Sequence, residues 1–214
     1  MNLFNEDNFL HVFLNRVGDI VIANLLFLVC SIPLFTAGAS LTALYHCMLR
    51  IARGTNTGIT RMFFKSFREN FKQATGAWLI LAAAAAILLL NIRFLLTSPS
   101  PAAKPLLLLS CGVLILVFVE GLYLFPVLAA FSNRLGALMK NAFLFAFIHF
   151  PTTLACALLL LLPLLMTYRD LALLPLYAFC WTFFGFGLIA YIQSLLMYRF
   201  FRKYLPGEEK PEQE

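Results

Sequence analysis

Glu120 stands inside the apolar run "ILVFVEGLYLFP". An acidic side chain near the middle of a bilayer costs about 2.5–3.5 kcal/mol even on the gentler insertion scale, so it belongs in a protein interior beside a donor. At 1.5 Å of helix rise per residue, Glu120 lies about 17 Å from the charged end of its run. Asn24 and His149 come out about 12–14 Å deep, and Tyr191 and Gln193 about 9–11 Å. These five residues could line one intramembrane polar pocket, in which Glu120 changes protonation as a solute or proton arrives. The reading preferred is packing, with a neutral Glu120 hydrogen-bonded between helices.

Other chemistries find less support. No GxSxG, phosphate-binding loop or dinucleotide glycine fingerprint occurs, and no nucleophile stands beside an acid–base pair, so no catalytic residue is assigned. His46 and His149 lack an HxxxH or HxxE companion. The five cysteines (Cys30, Cys47, Cys111, Cys156 and Cys180) lie in or beside apolar runs without CxxC or CxxH spacing. No metal and no cofactor is expected. Arg93 reads as a side chain snorkelling to the interface rather than a substrate clamp. "GFG" (Gly185–Gly187) offers either close helix contact or flexibility.

The elements that must position these residues follow from composition. Of 214 residues 62% are hydrophobic and 12% charged, with mean hydropathy +0.87. Soluble domains carry about 25% charged residues, so this inventory cannot cover a water-facing surface. Four runs, Gly76–Leu96, Leu106–Phe131, Ala142–Thr167 and Leu171–Tyr198, meet the roughly 20 residues that a helix needs to cross hydrocarbon. "TSPSPAAKP" and "YRD" read as the loops between them. The start of the chain, "MNLFNEDNFLHVF", lacks the basic residues of a signal peptide, and none is expected.

The stretch from Val17 to Arg50 is interrupted by "CSIPLFTAGAS". Val17–Ile32 and Thr36–Arg50 would form arms of about 24 and 22 Å. Pro33 disfavours helix at Ile32 and removes a donor. Thr36 or Ser40 would cap the free N–H groups of the next helix. Pro33, Thr36 and Gly38 therefore mark a helix-breaking turn, with Gly38 packed on another helix and tolerating Ala better than Leu. The arms read as a short hairpin, spanning or re-entrant. With the N-terminus cytoplasmic, only Arg93, Lys104 and Arg169 of the 16 Lys and Arg residues face outward, the bias of the positive-inside rule. The formal charge of +6 is thus spent on topology, and no nucleic-acid partner is expected.

"ITRMFFKSFRENFKQ" places Ile59, Phe63, Phe67 and Phe71 at i+4 steps, with Arg61, Lys65, Arg68 and Lys72 off that stripe. This reads as a basic amphipathic helix lying on the inner leaflet, aromatic face to lipid, or as a docking surface for a cytoplasmic partner. Phe9, Leu10, Phe13, Leu14 and Val17 repeat the pattern more weakly. The expected architecture is an all-α polytopic membrane bundle of about six helices, the first two a hairpin broken at Pro33. One integral membrane domain covers residues 1–205. Residues 206–214 ("PGEEKPEQE") read as a disordered cytoplasmic tail.

"NLLFLVCSIPLFTAGASLTALY", followed by "FFKSFRENFKQAT" and later by "LMKNAFLFAFIHFPTTL", resembles the YesL-like family of bacterial integral membrane proteins, known as domain of unknown function 624. The pattern matches at Asn24, Pro33, Thr36, Gly38, Thr42 and Ala43, at Phe64, Phe67, Asn70, Phe71 and Lys72, and at Asn141 and Ala142. The resemblance implies carbohydrate uptake as context, ABC-transporter subunits as partners, and no catalytic activity. "NRLGALMKNAF" has Gly136 but lacks the Glu-Ala-Ala with which ABC permeases dock their ATPase. The chain thus reads as a non-enzymatic, multi-pass cell-membrane protein with both termini cytoplasmic, accessory or regulatory to that uptake. The alternative is a small secondary transporter or solute-binding channel built around Glu120.

Overall fold

The structure is a computed structural model. It describes residues 4–54 and 58–202, and their side chains except those of residues 4–13 and Leu171. The tail at 206–214 and the side chains of Phe9, Leu10 and Phe13 lie outside the described residues. All regular structure there is helical: α1 (Phe4–Ser31), α2 (Ala37–Ala52), α3 (Ile59–Thr97), α4 (Ala103–Ala130), α5 (Leu135–Ile148), α6 (Phe150–Arg169) and α7 (Leu174–Phe201). A π turn at Trp181–Gly185 lies within α7. Five helices are long and apolar enough to cross a membrane: α1 over Leu14–Ser31, then α3, α4, α6 and α7. These suit a multi-pass membrane protein.

Two differences from the sequence-based expectation have local causes. The run Ala142–Thr167 is broken: His149 leaves helical geometry at φ −108°, ψ 48°, ending α5 and starting α6. Pro151 supplies no N–H and restricts the residue before it. Thr153 Oγ1 donates to the freed Ala146 carbonyl at 2.7 Å. The second difference is that the amphipathic stretch is no separate interfacial helix. It is the first half of α3, which continues unbroken for 39 residues, about 58 Å. No proline interrupts it, and Gly76 alone does not stop a helix.

The chain also breaks at Pro33, which is extended (φ −75°, ψ 104°) before a 3-10 turn at Leu34–Thr36. The hydroxyls there do not cap α2. Thr36 Oγ1 instead donates back to the carbonyls of Cys30 (2.6 Å) and Pro33 (2.7 Å), and Ser40 Oγ donates to Phe27 O at 3.0 Å. A helix that ends at a proline leaves its last carbonyls without intrahelical donors, and the Thr36 hydroxyl reaches one of them at Cys30, while Ser40 adds a bond to Phe27 O one turn earlier that ties α2 to α1. The Leu34 carbonyl accepts from Trp78 Nε1 at 2.9 Å.

That last bond sets the register of α2 on α3. The turn sits beside Ala74–Trp78, and Cys47 Sγ lies 4.0 Å from Ile59 O near the other end. So α2 runs antiparallel to the amphipathic half of α3, and its buried Gly38, Ala39, Ser40 and Ala43 allow close approach. The aromatic stripe closes this core rather than facing lipid: Phe63 is fully buried, and Phe67 and Phe71 pack against the core. Leu122–Leu128 of α4 and Met197–Phe201 of α7 complete it. The far halves of α3 and α4 behave oppositely. Leu90 and Phe94 are each 70% exposed and Leu108 is 77% exposed, a surface compatible with surrounding hydrocarbon. One polar pair links these halves, Ser110 Oγ donating to Asn91 Oδ1 at 3.0 Å.

Candidate functional site

At the packed end, the last turns of the amphipathic segment and the end of α4 leave a groove of about 990 Å³ between them. Helix α3 contributes Phe67–Gln73, and Leu128–Asn133 form the opposite wall, with His46 of α2 between. The groove is braced rather than accidental. Gln73 Nε2 donates across it to Asn133 O at 3.2 Å, and His46 Nδ1 lies 3.1 Å from Ala129 O. A carbonyl only accepts, so Nδ1 carries the proton in that bond. Arg68 and Lys72, one turn apart on α3, are exposed at this groove, while Arg61 and Lys65 continue the basic face away from it. Lys65 Nζ pairs with Glu69 Oε1 at 4.0 Å, drawing the one acidic member of the lining toward the outer face.

The five interior polar residues do not bond one another among the described residues. Asn24, fully buried on α1, is held by the π turn of α7. Its Nδ2 donates to the carbonyls of Trp181 (3.1 Å) and Thr182 (2.6 Å), and its Oδ1 accepts from Gly187 N–H at 2.8 Å. Gln193 Oε1 accepts a short hydrogen bond from Tyr45 O–H, and its Nε2 donates to Cys156 O at 3.0 Å. His149 lies at the α5–α6 break with its ring stacked on Phe200, centroids 4.1 Å apart. Tyr191 is half-buried against the core. Glu120 is 8% exposed, and neither carboxylate oxygen has a hydrogen-bond partner among the described residues.

Tyr45 and the Tyr123–Thr153 pair, 2.9 Å apart, escape sequence reasoning because each is an ordinary residue within an apolar run. Their partners are 148 and 30 residues distant. The groove is hidden for the same reason: its two walls are 60 residues apart at the Gln73–Asn133 bond.

Among the described residues no three His, Cys, Asp or Glu side chains are grouped to hold a metal ion. Comparison with curated proteins and with solved structures gives no match. Residues 20–92, which carry the α1–α2 turn and the α3 wall of the groove, match the model of a family described as a protein of unknown function, DUF624.

Proposed function

We propose that this is a non-enzymatic membrane protein, accessory or regulatory to carbohydrate uptake, that docks to ABC-transporter subunits through its basic face. Residues 1–205 form its single integral membrane domain in the bacterial cell membrane. The first two helices act as a short hairpin broken at Pro33, and both termini and the short tail are cytoplasmic. The observation that carries this reading is the division of labour on α3. Its aromatic stripe packs on the core, Phe63 fully and Phe67 and Phe71 in part, while Arg61, Lys65, Arg68 and Lys72 stay exposed. An exposed basic face next to lipid-facing helix, in which Lys65 alone pairs with an acid (Glu69) among the described residues, suits an acidic protein surface at the inner interface. The family resemblance supplies the uptake context.

Crosslinking and pull-down from native membranes tests it. An ABC permease or ATPase subunit should co-purify with the wild type and be lost with Arg61→Glu/Lys65→Glu. Solute flux by the purified protein alone in liposomes would overturn the accessory reading. For the orientation, a cysteine at Ser100 should label from outside intact cells and one at Lys65 only after permeabilisation; the reverse pattern sinks it.

The second reading, a transporter or channel, rests on Glu120. Burying a carboxyl group without a partner costs about 1–3 kcal/mol on protein mutational scales. Glu120→Leu should therefore raise the unfolding free energy by about that amount. A stabilised variant with unchanged cellular function assigns Glu120 no role in transport, whereas a stabilised variant that abolishes flux favours the pocket.

A further inference from the structure

We propose that the groove between α3 and the end of α4 is a binding site for the headgroup of an anionic glycerophospholipid bearing free hydroxyls. Three observations converge there. Arg68 and Lys72 project one turn apart at one wall, the spacing at which two cations can share a phosphodiester. The opposite wall is the last turn of α4 and the residues after it. A helix ends in carbonyls that its own N–H groups do not satisfy, so this wall accepts hydrogen bonds from hydroxyls and repels a second anion. Gln73 and Asn70 also line the groove, their amide nitrogens held by Asn133 O and Ser66 O, which leaves their amide oxygens as further acceptors for hydroxyls. One wall thus suits a phosphate and the other a polyol.

The lipid source follows from what adjoins the groove. Helix α3 passes without a break from Lys72 into an 18-residue apolar window of which none is buried. A phosphate seated on Arg68 and Lys72 would have acyl chains beside Leu79 and Ile80, each about half exposed. Phe67 and Phe71 line the intervening edge. Glu69 also lines the groove, and its pairing with Lys65 lessens its repulsion of the phosphate. The site shares Arg68 and Lys72 with the basic face of the accessory reading, but partner docking is tested at Arg61 and Lys65, outside the groove, so the two readings fail separately.

Native mass spectrometry of the protein released from mixed micelles containing equal phosphatidylglycerol and phosphatidylcholine tests this. The wild type should retain phosphatidylglycerol at least about tenfold over phosphatidylcholine, as two charge-assisted contacts allow. Arg68→Gln/Lys72→Gln should lose that preference, while Arg61→Gln/Lys140→Gln, which has the same change in net charge and removes two exposed cations outside the lining, should keep it. Ser132→Trp, which fills the groove without removing a cation, should also lose it, and it decides the matter if the double variant does not fold. Equal retention of the two lipids overturns the proposal, as does equal loss in the Arg61/Lys140 control. Displacement of phosphatidylglycerol by millimolar glycerol 3-phosphate would reassign the groove to a soluble phosphate ester and overturn the lipid source.

Discussion

Asn24→Leu should lower the unfolding free energy by about 3 kcal/mol, because it removes at once the three hydrogen bonds that this buried side chain makes to the α7 backbone. A π turn shifts the helical ladder by one residue, so some carbonyls and N–H groups lose their usual partners. Asn24 bonds the backbone where that ladder shifts. Its two amide protons go to the Trp181 and Thr182 carbonyls, and its oxygen takes the Gly187 N–H. In an α-helix that N–H would bond Phe183 O. Leucine can do none of this, and in a site with no exposure water does not replace it. Asn24→Asp separates the components. It keeps the acceptor for Gly187 but, held neutral by burial, has one proton for two carbonyls, so it should lose stability, though less than leucine does. Thermal unfolding in detergent measures both, and the emission of Trp181, whose ring lies 4.8 Å from that of Phe186, should shift with the loss of the turn. An Asp variant as stable as the wild type would show that the amide protons are not what holds α7 to α1.

The second large effect is at Gly38. A Cβ there would stand 2.5 Å from Ala74 O and 2.5 Å from Trp78 Cβ. The first obstacle is backbone, and no rotamer change moves it. Even Gly38→Ala must push α2 off α3, and overpacking of this kind costs about 1–3 kcal/mol. The Trp78–Leu34 hydrogen bond, which depends on the same register, should weaken with it. Leucine would separate the helices further and should prevent stable folding. The expected order of tolerance, alanine above leucine, thus keeps its sense, but alanine is no mild change. Gly112→Ala on α4 is the control: nothing lies within 4 Å of its Cβ position, and removing a mid-helix glycine should stabilise by up to about 1 kcal/mol. Equal melting temperatures for Gly38→Ala and Gly112→Ala would overturn the close approach of α2 to α3.

Composition and run length suffice for the membrane class and the long apolar helices, because the preference for hydrocarbon over water is a sum over residues and needs no partner. Pro33 is legible for a similar reason: a proline acts on its own turn and on the residue before it. Pro151 obeys the same rule, yet Pro126 and Pro163 lie inside helices that continue. What distinguishes Pro151 is Thr153, which serves the freed Ala146 carbonyl and is itself paired with Tyr123 from α4. Periodicity showed that Phe63, Phe67 and Phe71 share a face, but an i+4 stripe is the same whether lipid or protein covers it. The small residues of α2 decide that by letting two backbones meet. The groove and the lock on the π turn belong wholly to the tertiary structure. A hydrogen bond such as that between Asn24 and Gly187, 163 residues apart, depends on how helices are placed in space, which no local pattern of residues encodes.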